Sequence, residues 1–257
     1  KEDLDIVSIC THPDSHLEIA QYVVESGVKA IFCEKPISHS LKSASSIITL
    51  CQKKDVHLII NHQRRWSATF RDLRDRLASK EFGEIQHINF FYSRGVYNSG
   101  SHLFDLLRML FGEIVEVTSL NSFTDFEDEK TITAYLEFLQ GHPGIIIGVN
   151  GNHFRLFNLE IFTTKGRLSL DSSLDCQFSY ASESLRSEEF KELTPSIKID
   201  LENDTQSLLL NALDEITSLL KGSKINSCSG VDGYKSLEII KSLEDSFKEK
   251  EKKTLTK

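Results

Sequence analysis

The sequence predicts an α/β protein: a short, doubly wound parallel sheet, followed by an α+β part built on a large, mainly antiparallel open sheet. The first observation is that apolar runs at Ile6 to Cys10, Val28 to Cys33 and Val56 to Asn61 alternate with segments of helical periodicity. That alternation is the rhythm of βαβ units, whose crossovers are right-handed. The second is that strand-like runs then succeed one another from residue 85 to residue 173, with few helices between them. Consecutive strands of this kind pair antiparallel.

Each element has its own local reason. Ile6 to Cys10 is continuously apolar, as in a strand covered on both faces. After the turn Thr11 to His16, a helix over His16 to Ser26 sets Leu17, Ala20, Val23 and Val24 on one face and stops at Gly27. The strand Val28 to Cys33 runs into Glu34-Lys35-Pro36. Proline cannot continue a central ladder and biases the residue before it towards extended geometry, so the strand ends there.

A helix over Ser38 to Lys54 aligns Leu41, Ala44, Ile47, Ile48 and Cys51, and Trp66 to Ser79 forms another with Phe70, Leu73 and Leu77 inward. Strands are expected at 85–94, 115–125, 131–140, 144–154, 156–166 and 167–173, divided by Gly, Asn, Asp or Pro. Helices are expected at Ser101 to Phe111, ended by Gly112, at Asp204 to Lys221 with Leu208, Leu209, Ala212, Ile216 and Leu219 periodic, and at Val231 to Lys248.

Composition narrows the function. The chain has 257 residues, enough for one large or two ordinary domains, and a formal charge of -8 with no strong basic block. Nucleic acid is therefore not an expected partner. The five cysteines are odd in number, widely spaced and without a Cys-x-x-Cys pair. They read as buried thiols in the reducing cytoplasm, not as disulfides or a zinc site, and no metal is expected. No apolar run approaches the roughly 20 residues that span a bilayer, and no charged-then-apolar leader opens the chain, so no membrane partner is expected.

Four polar stretches lie where packing does not demand them. Thr11, Pro13 and His16 follow the first strand, where a plain Pro-Asp turn with a helix cap is the alternative. Lys35 ends the second strand, either as a surface ammonium or as a proton relay, since desolvation lowers a lysine pKa. Arg64, Arg65 and Trp66 follow the third strand, as the start of a helix with solvated arginines or as a fork for an anionic substrate. Asn98 and His102 are four apart and share a face if that stretch is helical. An unperturbed histidine titrates near neutrality, as a general base needs, and Asp105 either orients it or pairs with Arg108.

These stretches, in this order, resemble the glucose-fructose oxidoreductase and inositol dehydrogenase family, Gfo/Idh/MocA. The likeness includes the Glu-Lys-Pro at residues 34–36, the helix ending Leu-Arg-Met-Leu-Phe-Gly, "FTTKGRLSL" and "SGVDGYKSLEII". The resemblance implies a Rossmann-like first domain, residues 1–61, as the remainder of a dinucleotide-binding domain, and residues 62–257 as a substrate-binding and oligomerisation domain. It implies NAD or NADP as cofactor, with Thr11, Pro13, His16, Glu34, Lys35 and Pro36 at the nicotinamide end. Lys35 and His102 would be catalytic, and Arg64, Trp66, Asn98 and His102 would meet a sugar-like substrate. A homodimer or homotetramer through the open sheet is also implied.

Two departures stand out. Many family members carry an aspartate where this chain has Asn98. No spacing of the thirteen glycines reproduces Gly-x-Gly-x-x-Gly, the loop that cradles a dinucleotide pyrophosphate. The expectation is that roughly 60 residues of the parent, about two βα units, precede this sequence. The alternative function is a non-catalytic ligand-binding or regulatory protein of the same fold.

Overall fold

The computed structural model describes residues 4–125, 128–186, 189–202, 208–224 and 227–255. The chain separates into two compact units: residues 1–67, 101–106 and 204–241 in one, and residues 68–100, 107–203 and 242–257 in the other.

The first unit is built on a parallel sheet in the order β1 (Ile6–Ile9), β2 (Ala30–Cys33), β3 (His57–Ile60). Helices α1 (His16–Glu25) and α2 (Leu41–Lys53) are its crossovers. The α1 face buries Ala20, Val23 and Val24, and the α2 face buries Ala44, Ile47 and Cys51. Central strand β2 is buried at every residue, whereas β1 is only partly covered and exposes Ser8. Covering of β1 on both faces, expected from its apolar run, is thus corrected: Ser8 is exposed, and β1 pairs with β2 alone among the described residues.

Helix α2 starts three residues later than its periodicity suggested. Ser40 has extended backbone, and its hydroxyl accepts a hydrogen bond from Ser43 N at 3.4 Å, which makes Ser40 the N-cap. Ile37 and Ser38 instead belong to the buried loop that follows Pro36. The helix after β3 is likewise shortened: Gln63–Trp66 is a 3-10 turn, and α3 runs over Ala68–Ala78.

Within the same unit, α5 (Leu208–Leu220) buries Ala212, Ile216 and Leu219, but Leu209, expected inward, is about half exposed. The first four residues of the helix expected from Asp204 lie outside the described residues. Helix α6 (Gly230–Glu249) begins here as well, and Ser229 pairs with Ile59 of β3 in an isolated bridge. Its glycines explain the close approach: a Cβ on Gly230 would lie 2.5 Å from Leu58 Cδ2, and one on Gly233 2.8 Å from Ile60 Cγ1.

The second unit holds a ten-stranded sheet. Its strands are β4 (Ile85–Tyr92), β5 (Ile114–Thr124), β6 (Lys130–Phe138), β7 (Pro143–Gly148), β8 (Phe157–Thr163), β9 (Gly166–Leu170), β10 (Cys176–Glu183), β11 (Lys191–Leu193), β12 (Ile197–Lys198) and β13 (Lys253–Thr254). The order is β11-β10-β9-β8-β4-β7-β6-β5-β13, with β12 on β10, and only β4 and β7 pair parallel. The last four strands were not anticipated from the sequence. Strand β7 ends six residues early because Asn150 and Gly151 turn the chain, Gly151 N donating to Asp125 Oδ1 at 2.6 Å.

Helix α4 (Ser101–Phe111) stops where expected, at Gly112, whose φ of 85° suits glycine. The residues before it, Gly95–Gly100, form a π-helical turn. No helix among the described residues is long and apolar enough to cross a membrane.

Candidate active site

Strands β1, β2 and β3 run parallel in register, so their carboxyl ends form one edge. Ligands bind outside this edge in open α/β sheets. The ladder continues briefly into the loops: Glu34 N donates to Ile9 O at 2.9 Å and Asn61 N to Cys33 O at 2.8 Å. Glu34 then braces both loops, its Oε1 accepting from Asn61 Nδ2 at 2.6 Å and its Oε2 from Lys35 N at 3.3 Å. The Lys35–Pro36 peptide is cis, and Pro36 is buried while Lys35 is partly exposed.

His16 is wholly buried below this edge. Its Nε2 is 3.1 Å from Thr11 O, and its Nδ1 is 3.1 Å from Ile37 O and 3.4 Å from Cys33 Sγ. Whichever tautomer forms, the ring is a strut between the loops after β1 and β2, and it presents no open face. Thr11 stays exposed, its Oγ1 2.8 Å from Ser15 Oγ, and Pro13 is half-buried.

His102, in the first turn of α4, is brought into the same electrostatic neighbourhood. Burial pulls its pKa well below the ordinary imidazole value, and the charges of Arg64, then Lys35, then the neighbouring His62 push the same way. The sequence expectation of an unperturbed histidine is corrected by this: the ring is neutral at neutral pH. Its Nδ1 is buried and has no hydrogen-bond partner among the described residues.

His62 stands edge-on to His102, with centroids 5.7 Å apart at 82°. It is buried, neither ring nitrogen has a hydrogen-bond partner among the described residues, and burial lowers its pKa too, with Asp105 opposing and Arg65 and Lys35 assisting. His62 was not picked out from the sequence. Two neutral imidazoles carrying buried, unsatisfied polar atoms are costly in a finished core and natural beside a polar ligand.

Arg65 serves a different purpose from the one expected. Its Nε donates to Asp105 Oδ2 at 2.9 Å, its Nη2 to Asp105 Oδ1 at 2.9 Å, and its Nη1 to Ser227 O at 2.9 Å. Asp232 Oδ1 lies 3.0 Å from the same Nη2. Burial opposes the charge, but attraction to Asp105, the hydrogen bonds to it and the nearby Asp232 together outweigh that cost and raise the guanidinium pKa. Asp105 therefore takes Arg65 and neither orients His102 nor pairs with Arg108, which binds Glu113 at 2.7 Å. Asp232 in turn accepts from Ser229 N at 2.9 Å and Ser229 Oγ at 2.8 Å, a capping arrangement at the start of α6.

Trp66 is 1% exposed and packs edge-on against Phe32 at 5.9 Å, so its ring belongs to the core under the loop. Its main-chain oxygen accepts from Asn211 Nδ2 at 3.1 Å. Asn98 lies in the π-helical turn of the second unit, and its main-chain N–H donates to Glu129 Oε2 at 3.1 Å.

Comparison with known proteins decides the family. Residues 1–62 match the "Oxidoreductase family, NAD-binding Rossmann fold" model of GFO_IDH_MocA, and residues 95–255 match its "Oxidoreductase family, C-terminal alpha/beta domain" model. The chain belongs to the Gfo/Idh/MocA oxidoreductase family. Among curated relatives, D-apiose dehydrogenase of Paraburkholderia graminis is 30% identical over 152 residues, covering 51% of this chain and 40% of that protein. Myo-inositol 2-dehydrogenase of Thermotoga maritima is 26% identical over 196 residues, covering 66% of this chain and 57% of the relative. The chain thus spans about half the length of these Gfo/Idh/MocA relatives. The fold is shared with a crystal structure of a putative NADPH-dependent oxidoreductase from Desulfitobacterium hafniense, at a TM-score of 0.84 and 20% identity over 99% of this chain and 80% of that one.

Proposed function

We propose that this chain serves a nicotinamide-dependent oxidoreductase that interconverts a secondary hydroxyl and a ketone on a sugar or nucleotide-sugar substrate, using NAD or NADP. The observation that carries this reading is a neutral imidazole, His102, within the field of the Lys35 ammonium at the ligand-binding edge of a parallel sheet. The residues present fit the nicotinamide end of the cofactor: His62 and His102 leave buried polar atoms without protein partners beside that edge. Thr11, Pro13, Glu34, Lys35 and Pro36 would hold that end, with His16 bracing the loops from below. When bound, the nicotinamide supplies the hydride acceptor or donor.

The chain's own residues manage the proton. Neutral His102 accepts the hydroxyl proton on a ring nitrogen, and the Lys35 ammonium stabilises the oxygen as it gains negative charge. Arg64, whose charge already acts on His102, suits an anionic group on the substrate. Arg65 is committed to Asp105 and Asp232, so the adjacent guanidinium groups do not act as a pair. The buried Trp66 ring would back the loop that carries Arg64 in this reading. The oligomer is a homodimer or homotetramer through the open sheet, and the five free cysteines suit the cytoplasm.

The test is turnover with NAD+ and NADP+ against polyols, aldoses and nucleotide sugars. Lys35→Ala and His102→Ala should each lower kcat/KM by about 10²–10⁴-fold in protein that is still folded at the assay temperature. Near-normal turnover in either variant removes the assigned chemistry. The second reading, a ligand binder of this fold, is favoured by Asn98 in place of the family's aspartate. It would gain if the protein bound sugars tightly and turned none over.

A further inference from the structure

We propose that His12, Asp14 and His39 form a surface site for one divalent transition-metal ion of the zinc class. The three side chains come from two loops: His12 and Asp14 follow β1, and His39 follows the buried loop after β2. Asp14 Oδ2 lies 3.3 Å from His12 Nδ1, and Asp14 Oδ1 lies 3.0 Å from His39 Nδ1. The imidazole rings stand edge-on with centroids 5.3 Å apart. One ligand atom from each residue falls within 4.8 Å of the others.

These separations suit a metal. Zinc bonds of about 2.0–2.1 Å to nitrogen and oxygen in tetrahedral geometry place neighbouring ligand atoms about 3.3 Å apart. The Asp14 carboxylate already stands about that far from each imidazole, Oδ2 from His12 and Oδ1 from His39, and one atom from each residue lies within 4.8 Å of the others. Two imidazoles and one carboxylate match zinc and its neighbours in the first transition row, whereas magnesium and calcium take oxygen ligands. A fourth position is left to water, and the exposed side chains leave an open entry path.

The two loops are also held in place before any ion arrives. His16 reaches Thr11 O, one residue before His12, and Ile37 O, two residues before His39, so one buried ring ties together the chain segments that carry the ligands. Pro13 opens the 3-10 turn Pro13–Ser15 that carries Asp14, and Ser15 Oγ donates to His12 O at 2.9 Å. A bound ion would add a second link, on the surface, between the loops that His16 joins from below. The sequence expectation of no metal rested on cysteine spacing, and no spacing rule covers ligands drawn from two separate loops.

The proposal is independent of the dehydrogenase reading and is tested without activity. Zinc titration of the intact protein by calorimetry, with Co2+ as a visible probe of coordination, should show one equivalent bound and a tetrahedral Co2+ spectrum. His12→Ala and Asp14→Asn change exposed side chains and His39→Ala a partly exposed one, and each should weaken binding by about tenfold or more in protein whose unfolding midpoint is checked alongside. Magnesium in excess should not displace the ion. The proposal is overturned if the unaltered protein binds no zinc, or if binding survives unchanged in both histidine variants. In the first case the cluster is an ordinary hydrogen-bonded triad, and in the second the ion sits elsewhere.

Discussion

Replacing Arg65 with methionine tests the internal scaffold of the first unit. The change keeps most of the volume but removes all three contacts from the guanidinium to Asp105, which is 1% exposed, and those to Ser227 O and Asp232. A buried carboxylate left without its partner costs about 3–5 kcal/mol. At roughly 2–4 °C per kcal/mol for a chain of this size, the melting temperature should fall by about 6–20 °C. Trp66 is the single tryptophan and belongs to the same unit, so its fluorescence in urea follows the transition that matters. The double variant Arg65→Met with Asp105→Leu should recover much of the loss, because an apolar pair in place of a buried ion pair is close to neutral. A cost below about 1 kcal/mol for Arg65→Met would put this cluster with exposed ion pairs and refute the reasoning. Failure of the double variant to improve on the single one would do the same.

Two further outcomes follow from titration and burial. His62 and His102 are neutral in the fold, with pKa values lowered from 6.5, but take protons when unfolded. As pH falls below 6.5 the unfolded state binds more protons, so each ring removes up to about 1.4 kcal/mol of stability per pH unit until its folded pKa is reached. His62→Phe should flatten that acid limb, read as urea midpoints between neutral pH and pH ~5, and an unchanged slope would show that His62 is not the neutral group. Among the thiols, burial raises Cys51 to about 11 and Cys176 to about 12, and it raises Cys33 and Cys228 as well. Cys10 is exposed. Iodoacetamide should therefore label Cys10 in the folded protein and the other four only on unfolding, and mass spectrometry showing early label on Cys33 or Cys228 would contradict their placement.

The fold was legible where a short-range signal decides the element. Gly27 and Gly112 end α1 and α4 as expected, and the apolar runs at 28–33 and 56–61 contain β2 and β3. The start of α2 was misread because apolar periodicity has no knowledge of a cap, and the N-cap hydroxyl of Ser40 overrides it. In the site, Glu34-Lys35-Pro36 could be read because proline marks the strand's end. The partnership of Arg65 with Asp105 and Asp232 could not, since it joins side chains from three distant segments and leaves no local periodicity. The same holds for Glu34 with Asn61 and for the lowered pKa of His102, which depends on burial and on charges brought in from residues 35 and 64.

The charges around His102 bear on which substrate suits the proposed chemistry. A ring held neutral by burial, with two nearby cations assisting, is a reliable acceptor but a weak base, so it cannot by itself draw a proton from a sugar hydroxyl. The cation that weakens it must also act on the other side of the transfer: an ammonium beside the hydroxyl oxygen favours the alkoxide as much as it disfavours the imidazolium. Lys35 can do both from one position. Arg64 acts in one direction only, its charge opposing protonation of His102. An anionic substrate group paired with Arg64 would cancel that opposition and raise the imidazole pKa towards working pH, so substrate binding itself would complete the base. On this argument the rise of kcat with pH, which tracks the imidazole pKa in the substrate complex, should lie at lower pH for a neutral polyol than for an acidic or nucleotide-linked sugar. Arg64→Gln should narrow the gap between the two pH profiles, and coincident rises for both substrate types in the unaltered protein would rule out this role for Arg64.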